Sequence, residues 1–187
     1  ASFIKEPAMN ELQLSRAIHI GRQAVERAKL ENYQLFIGGE MGIANTSSAT
    51  AIACALLDIA PKKLVGPGTG LDQEGVNHKA KIILHGLDFH KAEMNTPLDI
   101  LRCVGGFEIA ALVGAYISCA QSGIPALVDG FISSVAALLA DRILPGVNKW
   151  RGVPRTEPRG IGVSGPGGGQ VEGIGRFWAR NRTVGGP

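Results

Sequence analysis

The chain has 187 residues, 45% of them hydrophobic and 19% charged, with a formal net charge of +3. This length suits one domain with a substantial core, and no apolar run reaches the roughly 18 residues of a membrane helix, so we expect a soluble protein without a membrane partner. Six Arg and two Glu fall in residues 151–187, so the positive charge belongs to this segment and does not indicate a nucleic-acid surface on the folded part. The first residues lack the features of a secretory signal, which favours a cytoplasmic location.

The first predicted elements are an amphipathic helix and a strand–loop–helix unit. Residues 10–29 place apolar side chains at helical spacing among charged ones. Residues 33–37 form a short β-prone run closed by a glycine pair, which predicts a buried strand that enters a tight loop. Thr46 and Ser47 can cap the Ala-rich helix that follows through about Leu57.

Glycines also precede the next predicted helix and a further apolar stretch. The loop formed by residues 66–70 leads into a predicted helix over about residues 71–87, with Asp72 as its candidate N-cap. The apolar stretch 109–120 follows another glycine pair at 105–106.

A second buried strand is predicted at residues 125–130, where a short apolar run ends in an acid and a glycine before a helix over residues 131–141. This alternation of strands and helices predicts an α/β fold with a parallel sheet and helices on its faces. The loops at the carboxyl ends of such strands form the binding crevice. The polar residues that we expect at this edge are Glu40, Asn45, Thr46, Asp129 and Ser133.

The pattern ends after Trp150. Eleven Gly and four Pro crowd the last 37 residues, and no helical or strand period continues there. We therefore expect an α/β core over residues 1–150 and an irregular, disordered tail over residues 151–187.

The glycine loops could bind phosphate, because backbone N–H groups and a helix amino end can approach an anion closely there. Thr69 could add a hydroxyl, and Lys79 or Lys81 a positive charge. Neither loop has the dinucleotide or P-loop pattern, and a plain tight turn explains either loop taken alone. Two such loops in one small α/β domain favour phosphate binding.

Glu40 and Asp129 follow the two predicted strands and are the candidate acids. Glu40 could orient a substrate hydroxyl or a ring nitrogen, or act as a base. The alternative is a structural acid that caps a helix or pairs with a cation such as Lys79. Asp129 has the same two interpretations, and the strand-end position slightly favours function.

The histidines do not have the spacing of a metal site. Five residues separate His85 from His90, whereas four would place two imidazoles on one helical face, and His78 is farther away. We therefore predict no metal site and expect solvated or hydrogen-bonded histidines. The three cysteines lack the paired spacing of a zinc site or disulfide framework and are expected as reduced thiols in the core: Cys54, Cys103 and Cys119.

Four motifs, in order, carry a family resemblance. They are residues 39–49 (GEMGIANTSSA), 66–72 (GPGTGLD), 105–111 (GGFEIAA) and 129–134 (DGFISS). Together they resemble the nicotinate-nucleotide:dimethylbenzimidazole phosphoribosyltransferases, over about residues 3–150.

This resemblance implies a Rossmann-like α/β glycosyltransferase of cobalamin biosynthesis, with helices on both faces of a parallel sheet and a homodimeric assembly. The reaction moves phosphoribosyl from nicotinate mononucleotide to 5,6-dimethylbenzimidazole, gives α-ribazole 5'-phosphate and nicotinate, and uses no cofactor. Glu40 would be a supporting acid in this reaction. Carried over by motif, the phosphate contacts are Gly68, Thr69, Gly70 and Lys79, the ribose and base region is lined by Glu40, Gly42, Asn45 and Thr46, and its floor is Asp129 and Ser133.

Two departures limit what this chain is expected to do alone. The family's proton-accepting glutamate lies near the carboxyl end in an Arg-Leu-Gly-Glu-Gly-Ser-Gly stretch, and Glu172 lacks that context. Family members also begin well before the position that matches Ala1, so we expect a truncated middle piece with weak or no activity. The Gly, Arg and Pro excess of the tail suggests a frameshifted gene, which the nucleotide sequence would test. The alternatives are a non-catalytic nicotinate-nucleotide-binding fragment and a different nucleotide-dependent enzyme.

Overall fold

A computed structural model describes residues 1–68 and 70–147; Thr69 and the predicted tail with its boundary at residue 150 lie outside the described residues. The described part is mixed α/β. Its elements in chain order are α1 (Glu11–Leu30), β1 (Phe36–Gly39), α2 (Thr46–Leu57), a 3-10 turn (Pro61–Lys63), α3 (Gln73–His90), α4 (Pro97–Val104), α5 (Phe107–Ser122), β2 (Ala126–Asp129) and α6 (Gly130–Ile143).

The two strands pair in parallel, which confirms the predicted α/β class. Register is set by Phe36 opposite Ala126 and Gly39 opposite Asp129. The prediction of a buried first strand is wrong in part, because the Ile37 side chain is 61% exposed on this strand of the two-stranded sheet that the described residues form. The strand also begins three residues later than predicted and includes the glycine pair that we assigned to the loop.

Helix α1 packs on α5 through two glycines. A capping box between Asn10 and Gln13 starts α1, as the N-cap pattern requires. A Cβ on Gly21 would overlap the Ala111 carbonyl oxygen, and a Cβ on Gly114 would overlap that of Ile18. The two helix backbones are therefore in direct contact, an approach that only glycine permits.

The core is built largely from small and medium apolar side chains of α2, α4, α5 and α6. All three cysteines are buried and free, which confirms their prediction as reduced thiols. Burial raises the pKa of Cys54 and Cys119 to about 12, so both stay protonated at neutral pH. None of the helices in the described ranges is long and apolar enough to cross a bilayer.

Candidate functional site

The candidate site lies at the edge of the sheet where β1 and β2 both end. Because the strands are parallel and Gly39 pairs with Asp129, the segments that follow them leave the sheet side by side. The exposed Asp129 carboxylate lies beside β1, with Oδ2 3.9 Å from where a Cβ on Gly39 would be. The register therefore brings the two predicted candidate acids, which are far apart in the chain, to one edge.

The loop between β1 and α2 is bent by two left-handed residues. Gly42 has φ +79° and Ala44 has φ +64°. The left-handed region costs a residue with a Cβ about 1–2 kcal/mol, so the surrounding contacts must hold Ala44 in place. The Gly42 N–H donates to Glu40 Oε2, which anchors the Glu40 side chain to its own loop. Glu40 is half-buried, and its other carboxylate oxygen, Oε1, makes no hydrogen bond within the described structure.

Lys79, Thr46 and Gly68 converge from three separate elements. Lys79 Nζ on α3 donates to Thr46 Oγ1 on α2 over 2.7 Å. A Cβ on Gly68 would lie 3.3 Å from Thr46 Oγ1 and 3.5 Å from Lys79 Nζ, so the glycine loop passes directly over the pair. Lys79 is half-buried, and this burial lowers the pKa of its ammonium. The structure does not contain the alternative Glu40–Lys79 ion pair among its described contacts. Glu40 instead accepts a hydrogen bond from Gly42, and Lys79 donates one to Thr46.

The helix amino ends at this edge lack side-chain caps. Helices α2, α5 and α6 begin after Asn45, Gly106 and Asp129, and none of these residues makes a capping side-chain hydrogen bond. By contrast, α1, α3 and α4 are capped by side chains. First-turn N–H groups that no side chain satisfies are available to an anion.

A cavity of about 470 Å³ opens next to this edge. Its polar lining includes Glu40, Asn45 and Glu108, and its apolar lining includes Ile43 and Phe107. Asn45 Nδ2 donates to Glu108 Oε1 over 3.3 Å, whereas the buried Asn45 Oδ1 has no hydrogen-bond partner in the described structure. The carboxylates of Glu40 and Glu108 can thus face one bound molecule, between two exposed apolar side chains.

Half of the predicted site residues fall into two adjoining groups: Glu40 and Asn45 line the cavity, and Thr46, Gly68 and Lys79 lie together. Gly70 is exposed with φ +128°, and Ser133 is buried on α6 with its Oγ unbonded within the described structure. Thr69 lies outside the described residues. Sequence reasoning missed Glu108 and Phe107 as site residues, although the glycine pair before α5 was a readable signal. The residues predicted for the site are Glu40, Gly42, Asn45, Thr46, Gly68, Thr69, Gly70, Lys79, Asp129 and Ser133.

The chain matches a family model described as phosphoribosyltransferase (DBI_PRT) over residues 1–156. It is 55% identical over 150 residues to proteins named nicotinate-nucleotide–dimethylbenzimidazole phosphoribosyltransferase from Pseudomonas putida strain F1 and Xanthomonas axonopodis pv. citri strain 306. These matches cover 80% of this chain and 43% of each relative.

A solved structure is also similar. The crystal structure of CobT from Thermus thermophilus matches with a TM-score of 0.77 and 36% identity, over 82% of this chain and 46% of that one. The chain therefore spans less than half the length of the relatives that it matches.

Proposed function

Because the chain belongs to the DBI_PRT phosphoribosyltransferase family, we propose that it supplies the nicotinate-mononucleotide site of an enzyme that transfers phosphoribosyl to 5,6-dimethylbenzimidazole. The products are α-ribazole 5'-phosphate and nicotinate, in cobalamin biosynthesis. The names of the relatives support these two substrates. The observation that carries the proposal is the cluster of Lys79, Thr46 and Gly68 at the uncapped amino end of α2.

The proposed phosphate site uses charge and backbone together. Lys79 has an ammonium held by a hydroxyl and no carboxylate contact among the described residues, so its charge is available to a phosphate. The amino end of α2 adds N–H groups and partial positive charge. In our proposal the phosphate contacts include Gly68, Thr69 and Gly70, and a Cβ at Gly68 would intrude on the pair of Lys79 and Thr46.

The proposed ribose and base region is the neighbouring cavity. Glu40 and Asn45 reach it from the β1–α2 loop, and Glu108 reaches it from α5. A carboxylate there orients ribose hydroxyls and offsets the positive charge that develops at the anomeric carbon. Gly42 holds Glu40 in place by its N–H. Asp129 and Ser133 are the proposed floor of this region.

The chemistry also needs a base that accepts a proton. A benzimidazole nitrogen attacks the anomeric carbon opposite the departing nicotinate, which leaves with the bonding electron pair. The attacking ring must then lose its N–H proton to a general base. The resemblance assigns that role to a glutamate for which we find no counterpart, so we propose that Glu40 is a supporting acid and that turnover by this chain is weak or absent.

Two other proposals make different predictions. A non-catalytic nicotinate-nucleotide-binding fragment is favoured by the coverage of less than half of the relatives. A different nucleotide-dependent enzyme rests only on the glycine loops and the fold. Ligand choice separates the different enzyme from the transferase, and an assay of turnover separates the binding fragment from it.

Calorimetric titration with nicotinate mononucleotide, its phosphate-free riboside and NAD tests the site. We expect the mononucleotide to bind and the riboside to bind about 10- to 150-fold more weakly, because a charge-assisted hydrogen bond contributes about 1.5–3 kcal/mol. Binding of NAD but not of the mononucleotide would favour the different enzyme. An assay for α-ribazole 5'-phosphate then separates fragment from enzyme, and rapid turnover would contradict the expected weak activity.

We further propose a cytoplasmic location and homodimeric assembly, without a nucleic-acid partner. The side chains of Leu12 and Ile20 on α1 and of Ile37 on β1 are exposed, and they support a surface that another polypeptide covers. Sedimentation equilibrium of the chain and of a full-length relative measures the assembly. A monomer in both samples would contradict the proposal.

A further inference from the structure

A second cluster of chemically active side chains lies away from the proposed nucleotide site. His90 is the last residue of α3, Glu93 follows it in the next turn, and Cys103 lies on α4. One ligand atom from each of these residues lies within 4.8 Å of the other two. The three atoms are an imidazole nitrogen, a carboxylate oxygen and a sulfur, which are the donors that zinc prefers.

The His90 ring is oriented as in a metal ligand. Its side chain is 0% exposed, and Nε2 lies 2.8 Å from the Phe3 carbonyl oxygen. A carbonyl only accepts, so Nε2 carries the proton and the Nδ1 lone pair is left facing the cluster. Nδ1 has no hydrogen-bond partner within the described ranges. Histidine ligands commonly donate a hydrogen bond from their second ring N–H to a carbonyl oxygen in this way.

Glu93 is held with one oxygen towards His90. Its backbone N–H donates to the His90 carbonyl oxygen over 2.8 Å, which fixes the turn after α3. Arg102 Nη2 binds Glu93 Oε2 at 3.2 Å, whereas Oε1 lies 3.9 Å from His90 Nδ1. That gap is too long for a hydrogen bond, and a cation between the two atoms would contact both.

Cys103 completes the cluster from a different helix. It is buried, and its carbonyl oxygen accepts from the Ala8 N–H over 2.9 Å. On cation binding its thiol releases one proton to solvent and the sulfur binds as thiolate.

We propose that His90, Glu93 and Cys103 bind one divalent cation of the zinc class, with a fourth position left for water. The cation joins the end of α3 to α4, and Phe3 orients it through His90. Because α4 ends one residue before the glycine pair that leads to Glu108, the same cation fixes one wall of the cavity.

Titration of the metal-free 187-residue chain with Co²⁺, as a spectroscopic probe for zinc, tests the proposal. We expect one equivalent to bind with a thiolate-to-cobalt charge-transfer band that Zn²⁺ abolishes by displacement. Cys103→Ser should lose this band, and Cys119→Ser, which removes a buried thiol outside the cluster, should keep it. Absence of the band from the unaltered chain, or its persistence in Cys103→Ser, would overturn the proposal.

A variant at the exposed Glu93 tests the proposal even if the buried Cys103→Ser variant does not fold. Glu93 is half-exposed, so Glu93→Gln leaves the core intact and should weaken Zn²⁺ binding at least about 10-fold. His85→Gln, which removes an exposed imidazole from the same helix, should bind Zn²⁺ as the unaltered chain does. Equal affinities of Glu93→Gln and the unaltered chain would show that Glu93 does not bind the cation, and the proposal would fail.

Discussion

Replacement of Lys79 by Ala should weaken the binding of nicotinate mononucleotide by about 10- to 150-fold. Lys79 Nζ lies 2.7 Å from Thr46 Oγ1, and burial lowers the pKa of its ammonium. A partly desolvated cation makes stronger bonds to an anion than a surface one, and one charge-assisted hydrogen bond is worth about 1.5–3 kcal/mol. That free energy converts to the stated range of affinity.

The assay is calorimetric titration of two ligands against two variants. Lys79→Ala should reduce mononucleotide affinity but leave the affinity for the phosphate-free riboside within about 2-fold, since the lost contact is to phosphate. Lys81→Ala removes an exposed lysine two residues away and serves as the matched control. Equal losses for mononucleotide and riboside would refute the phosphate role of Lys79. Equal losses of mononucleotide affinity in Lys79→Ala and Lys81→Ala would instead show that the effect comes from the net charge of the protein and not from a specific contact.

Three further predictions concern the scaffold. Gly68→Ala should weaken mononucleotide binding, because φ is +57° and the new Cβ would lie 3.3 Å from Thr46 Oγ1; titration against the riboside separates crowding at the phosphate from general damage. Gly114→Ala should destabilise the protein by about 1–3 kcal/mol or more in urea unfolding, since its Cβ would overlap the Ile18 carbonyl, and an unchanged midpoint would contradict the helix contact. Asp72→Ala should cost about 1 kcal/mol by removal of the α3 N-cap and leave mononucleotide affinity unchanged, which the same two measurements check.

Local signals in the sequence predicted most of the elements. The Asp72 N-cap is confirmed, because capping depends on residues adjacent in the chain. The prediction that Thr46 and Ser47 cap α2 is wrong, because Thr46 is the first residue of the helix and the N-cap is Asn45, which makes no capping side-chain hydrogen bond. Helix α4 was missed, although Thr96 and Asp99 form a capping box at its start. The signal was present there, but the helix has only eight residues and too few turns to show a period.

Contacts between residues that are distant in the chain could not be predicted from sequence patterns. Asn45 and Glu108 are 63 residues apart in the chain, and their hydrogen bond depends on how the fold brings the first turn of α5 to the residue before α2. The approach of Cys103 to His90 likewise depends on the position of α4. Spacing along the chain therefore did not indicate this group of possible metal ligands, which comes together only by packing. The predicted roles of the site residues stay predictions until ligand binding is measured.

The glycine contact between α1 and α5 also fixes the position of the part of α5 that lines the cavity. Gly114 and Glu108 are six residues apart on α5, a rise of about 9 Å, so the two positions move as one rigid unit. Gly21 and Gly114 each pack against a backbone carbonyl oxygen of the opposite helix, so a shift or rotation of α5 along α1 would bring a side chain into collision with that backbone. A slip of a single turn, about 5.4 Å, would carry Glu108 away from Asn45. Helix α1 supplies no predicted site residue, but its packing against α5 thereby fixes the position of the Glu108 carboxylate in the cavity.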